Sequence, residues 1–166
     1  MQRYLVRYGV VPEVARFRHG GLLERGDPVI VRSSRGLQLG TVLERELWQN
    51  PNEADGEAPL VERRATAADF DAVQCSQLDC EREFLRWSER ISEWGLALEL
   101  IDLEWTIDRS RLILYVLTER GADATKLALQ AAAAGIGPIE VQPIAREGLV
   151  PLGGHGCGTG GCGCQH

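Results

Sequence analysis

The sequence predicts an α+β protein of two lobes, and three observations predict it. The first third breaks into short apolar runs at turn residues. A long stretch of helical period follows a polar loop. Beyond that stretch come two apolar strands, a short helix and a last strand. The expected organisation is a small β-rich lobe of hairpins over residues 1–48, a loop over 49–62, an α-β-β-α-β lobe over 63–150, and a Gly/Cys/His-rich tail over 151–166.

In the first lobe, Tyr4–Tyr8 and Val14–Phe17 read as strands either side of a Val-Pro-Glu turn. Gly26-Asp27-Pro28 is a turn signal ahead of the buried-looking Val29-Ile30-Val31. Ser33-Ser34-Arg35-Gly36 turns the chain so that Leu37–Leu43 pairs back, which predicts a half-barrel or small sheet. Residues Trp48–Pro59 are rich in Asn, Pro, Glu, Asp and Gly and read as the loop, with Trp48 placed for a partner contact.

A long helix is expected from Thr66, where Asp69 three residues on completes a capping-box pattern, to Gly95 as a left-handed stop. Phe70, Val73, Gln77, Cys80, Phe84, Trp87, Ile91 and Trp94 recur at spacings of three and four, a heptad seam suited to a sheet or to another chain. Leu98–Ile107 alternates, with Ile101, Leu103, Trp105 and Ile107 on one face and Asp102, Glu104 and Thr106 on a wet one. Leu112–Thr118 is apolar on both faces and should be central. Asp123 caps a helix that runs through Ala134 to Gly135, and Ile139–Ile144 closes the lobe.

Composition narrows the function. With 18 basic and 24 acidic residues the formal charge is −6, which argues against a general binder of phosphate backbones. The charge is uneven, however: residues 1–48 hold eight Arg against five acids, so a direct RNA- or DNA-binding module using this Arg-rich lobe is an alternative reading. Lys126 is the sole lysine, and no Gly-Lys-Ser/Thr phosphate loop exists. No nucleophile elbow or H-E-x-x-H pattern is present, and Asp102 with Glu104 reads as a solvated pair, so the protein is expected not to be an enzyme. No apolar run approaches the ~18–20 residues of a membrane span, and the first residues carry no secretory pattern. The expected location is the cytoplasm, with no membrane insertion and with reduced thiols.

The chemistry is concentrated in the tail. Residues 153–166 hold seven Gly, three Cys and two His, with nothing apolar to anchor them. Cys157, Cys162 and Cys164 are spaced C-x4-C-x-C. Thiolates are soft ligands for an iron–sulfur cluster or zinc, and the glycines let the backbone wrap closely. Zinc sites use two paired knuckles, and the second is missing here, so zinc in a structural or interaction protein is the alternative to a cluster. His155 or His166 could supply a fourth ligand, as could Cys75 or Cys80 if the fold brings them near. Those two are five residues apart on a helix, rotated by about 140°, and do not face one ligand together. Cys80 lies on the apolar seam, and His19 sits beside Gly20-Gly21 as a polar turn residue.

Four separated segments carry a resemblance. They are Gly26–Val31 with Arg35-Gly36-Leu37-Gln38-Leu39-Gly40-Thr41-Val42; Arg64-Ala65-Thr66-Ala67-Ala68-Asp69; Leu103–Ile113; and Leu152-Gly153-Gly154-His155-Gly156-Cys157-Gly158. In this order they resemble the C-terminal domain of the PSP (polymerase-suppressor protein) family, in its bacterial YaaT-like or RicT-like group. The resemblance implies a cytoplasmic, non-catalytic regulatory protein working in a complex with small helical partner proteins. It also implies iron–sulfur binding, contact with an endoribonuclease and an influence on RNA processing. Carried over by position, Cys157 and Cys162 match the family's first two tail cysteines. Cys164 approximates the third, since Gly163 intervenes where the family pair is adjacent, and Thr159 replaces the family's Arg.

Overall fold

The computed structural model describes residues 1–47, 58–118, 121–145 and 148–149. Its elements are β1 (Gln2–Tyr8), β2 (Glu13–His19), β3 (Pro28–Ser33), β4 (Gly36–Glu46), β5 (Leu60–Arg64), α1 (Ala67–Glu93), β6 (Leu98–Trp105), β7 (Leu112–Thr118), α2 (Gly121–Ala133), β8 (Ile139–Ala145) and β9 (Gly148–Leu149). The expected α+β class with two lobes is present.

The first lobe is a closed barrel, in the order β1-β2-β5-β3-β4 with β4 returning to β1. Closure exceeds the expected half-barrel because of β5. This strand arises from residues assigned to the loop and to the start of the second lobe. It pairs antiparallel with β3 and meets β2 in parallel at Arg18 and Leu60. Alternation along β1 sends Tyr4, Val6 and Tyr8 inward against Phe17, Val29, Val31, Val42 and Val61. Tyr8 and Phe17 meet edge to face at 5.2 Å. Gly40 sits opposite Tyr8, where a Cβ would stand 2.7 Å from Val6 Cγ1 and 3.1 Å from the Arg7 carbonyl.

The second lobe is a four-stranded sheet, β6-β7-β8-β9, with β7 central as expected. The β7–β8 pair is parallel and α2 is its crossover; β6 and β9 run antiparallel to their neighbours. One face of the sheet carries both helices. Leu112, Leu114 and Val116 of β7 pack there with Trp87 and Ile91 of α1 and with Ala124, Leu127 and Ala131 of α2. The seam on α1 therefore covers a sheet from Cys80 onward, while Phe70 at its start is exposed. Trp87 is fully buried; Trp94 and Trp105 are partly so and pack against the same core.

β6 departs from the predicted alternation. A register shift between Leu100 and Asp102 inserts Ile101 as an extra, exposed residue. Leu100 and Leu103 then both join the helix-covered core, and Glu104 falls on the opposite face. That face is not wet: Glu104 and Thr106 are buried there beside Ile113 and Tyr115. The reading of Asp102 and Glu104 as a solvated pair is corrected for Glu104.

At the start of α1 the Asp69 carboxylate accepts the Thr66 N–H at 2.7 Å, as the capping pattern predicts, and takes both terminal nitrogens of Arg63 at 2.6 and 2.7 Å. The Arg63 guanidinium holds the Asp69 carboxyl far below its ordinary 3.8, against the opposing effect of burial. A depressed carboxyl contributes stability above its unfolded value and loses it as pH falls through the folded one. Because Arg63 is half-exposed, the cap outweighs the ion pair. Asp69→Ala is expected to lower stability by about 1 kcal/mol at neutral pH. The difference from wild type should shrink as pH is lowered below 3.8, read by urea unfolding across a pH series.

Candidate functional site

The predicted ligands His155, Cys157, Cys162 and Cys164 lie outside the described residues, as do His166 and Trp48. Among the described residues no group of three or more His, Cys, Asp and Glu side chains could hold a metal ion. Cys75 is exposed on the outer side of α1 and Cys80 is buried under it, so the two do not converge, as their spacing predicted. Burial pushes the Cys80 thiol up to about 11. His19 is part of β2 rather than a free turn, with Nδ1 3.2 Å from the Val61 carbonyl oxygen. Of the barrel arginines, Arg16, Arg32, Arg63 and Arg64 each pair with a carboxylate, which leaves fewer charges for a phosphate backbone.

The chief polar assembly lies where the barrel meets the sheet. Glu104 of β6 accepts the Tyr115 O–H at 2.6 Å, the Val10 N–H at 3.0 Å and the Gln38 side-chain amide at 3.1 Å. Gln38 in turn accepts the Ser33 hydroxyl at 2.7 Å. Beside this chain Arg35 donates to Glu13 at 2.8 Å and to Gln142 at 3.2 Å. Its guanidinium lies 5.3 Å from the Tyr8 ring centre and 5.9 Å from that of Tyr115. Burial, reinforced by Glu104, raises the Tyr115 phenol well above 10, so it stays a donor across the physiological range. Burial also raises Tyr8, with Arg35 opposing.

Backbone geometry completes the joint. The Ile107 N–H donates to the Leu37 carbonyl at 2.9 Å. Gly36 has φ +130°, and a Cβ there would stand 2.7 Å from Thr106 Cγ2. The residues of two motifs distant in sequence thus meet: Arg35, Gly36 and Gln38 from one, Glu104, Thr106 and, just beyond it, Tyr115 from the other. Sequence reading missed this site because Glu104 looks like an ordinary outward residue of an alternating strand. The available signal was the two motifs themselves, one setting Arg35 beside Gly36 and the other Glu104 near Thr106.

A cleft opens beside the joint, between α1, the β1–β2 turn and β6. It comprises two adjoining hollows of about 310 and 550 Å³. Both are lined by Val10, Gln77, Cys80 and Leu103.

Two outcomes follow. Glu104→Leu strands three donors in the interior and should cost about 3–5 kcal/mol, whereas Glu104→Gln, which keeps an acceptor oxygen, should cost about 1–3 kcal/mol, both read by urea unfolding. With Cys157, Cys162 and Cys164 replaced by Ser, two of the five cysteines remain. Cys75 should then react promptly with a thiol reagent at pH 7. Cys80, with about one thiolate in 10⁴ molecules, should react far more slowly until the protein unfolds.

Comparison with known proteins gives one relative of note. The chain is 29% identical over 158 residues to the Stage 0 sporulation protein YaaT of Bacillus subtilis (strain 168). The alignment covers 92% of this chain, which spans about 57% of the relative's length. No family model matches the chain. No solved structure matches it. The motifs that meet at the joint thus lie within a likeness to YaaT that runs along nearly the whole chain.

Proposed function

We propose that the protein is a non-catalytic, cytoplasmic regulatory adaptor that works in a protein complex and modulates RNA processing. The observation that carries this reading is the likeness to a sporulation protein over 92% of the chain. The partners expected are small helical proteins, with an endoribonuclease contacted by the assembled complex. The second element of the proposal is a metal centre. Cys157, Cys162 and Cys164 offer three thiolates within eight residues, and His155 an imidazole, a donor set that fits an iron–sulfur cluster, with zinc as the alternative. A cluster would supply sensitivity to oxygen and iron. The chain's own part would be to offer three thiolates on a glycine-rich stretch without an apolar residue, so that holding metal and shaping the tail would be coupled. Loss of the metal would then change what the tail presents to partners.

Purification without oxygen tests the metal centre. The wild type should show visible absorption and bound iron, and the triple Cys157→Ser, Cys162→Ser, Cys164→Ser variant should lose both. Colourless wild-type protein holding zinc that the variant lacks would replace the cluster by a zinc site. Equal, near-zero iron and zinc in the two proteins would remove the metal centre altogether.

A further inference from the structure

We propose that the cleft between α1, the β1–β2 turn and β6 docks a partner segment carrying a cationic side chain, Arg or Lys, beside an apolar one. The cleft has the two features such a segment needs. Its walls are apolar, with Leu103 and Val10 shared by both hollows and with Val73 and Phe84 lining one each. Its charged lining is of one sign: Glu81 and Asp102 in the outer hollow, Glu104 in the inner one, and no Arg or Lys in either.

These carboxylates differ in availability. Glu104 is committed to three donors of the joint. Asp102 accepts the N–H of its own neighbour Leu103 at 2.8 Å and has no ion-pair partner among the described residues. Glu81 is exposed and has no partner among the described residues. Nearby on the same helix the situation is reversed: Asp79 is engaged by Arg109 at 2.6 Å and by Arg82 at 3.5 Å. Glu46, Glu62, Asp27 and Asp69 likewise each have an arginine. Of the carboxylates that are not buried and have no ion-pair partner among the described residues, Glu81 and Asp102 are the two that line this cleft, beside the apolar Val10, Phe84 and Leu103. An incoming cation would meet complementary charge at the mouth while its apolar neighbour enters the hollow. The inference is independent of the tail and of any metal.

Three fluorescein-labelled peptides test it against the full-length protein by anisotropy at low salt. One alternates Leu and Arg, one Ser and Arg, and one Leu and Glu. The Leu/Arg peptide should bind the wild type, and the other two at least tenfold more weakly. Glu81→Lys should weaken the Leu/Arg peptide at least tenfold, and Glu81→Lys with Asp102→Lys further. Asp71→Lys, an equal change of net charge elsewhere on α1, should leave binding unchanged. Circular dichroism checks that each variant is folded, and Glu81→Lys, at an exposed helical site, decides the matter if the double variant is not. Equal weakening by Asp71→Lys and Glu81→Lys, or equal binding of the Ser/Arg peptide, would reduce the effect to bulk charge and overturn the proposal. So would failure of the Leu/Arg peptide to bind.

Discussion

A carboxylate shut between two lobes sets the terms for this molecule. Glu104 is buried, and taking it out of water costs several kcal/mol unless donors replace the lost hydration. Three do so, and each comes from a different part of the chain: a phenol from β7, a backbone amide from the β1–β2 turn and a side-chain amide from β4. The net stabilisation of such a cluster is modest; its specificity is large. Any other arrangement of barrel against sheet leaves a charge or three donors unsatisfied. Arg35 adds a second clasp, held between two tyrosine rings and reaching to Glu13 and Gln142. The requirement for close approach at Gly36 follows from the same packing, since Thr106 occupies the space a side chain would need.

Elements whose signals are local were legible in the sequence. The cap at Thr66 and Asp69, the stop after Glu93, the apolar run of β7 and the helix α2 depend on neighbours three to seven residues away, and the chain spells them out. What depends on distant partners was not legible. Leu60–Arg64 contains three charged residues in five and reads as loop, yet its backbone fills the gap between β2 and β3. Ile101 satisfies a two-residue period, yet the register shift puts it outside and turns Glu104 inward. The period of a strand does not announce a bulge; only the partner strand does. The tail cysteines stand out by their spacing alone and lie outside the described residues.

Joint and cleft are coupled by construction. Val10 donates to Glu104 and also lines both hollows, while Glu104 and Leu103, adjacent in β6, form part of the same wall. The shape of the cleft is therefore set by the clasp that fixes barrel to sheet, and α1 closes its other side. A surface built on such a support keeps its form without a partner, which suits recognition by preformed complementarity.

The fifth barrel strand has a consequence of its own. It is separated from the other four by the stretch 48–57, and two residues after it the chain enters α1. Neither portion on either side of that stretch owns a complete cylinder. A gene severed within it would encode two pieces that must find each other before either can seal its interior, so this architecture is inherited whole or reassembled from both halves.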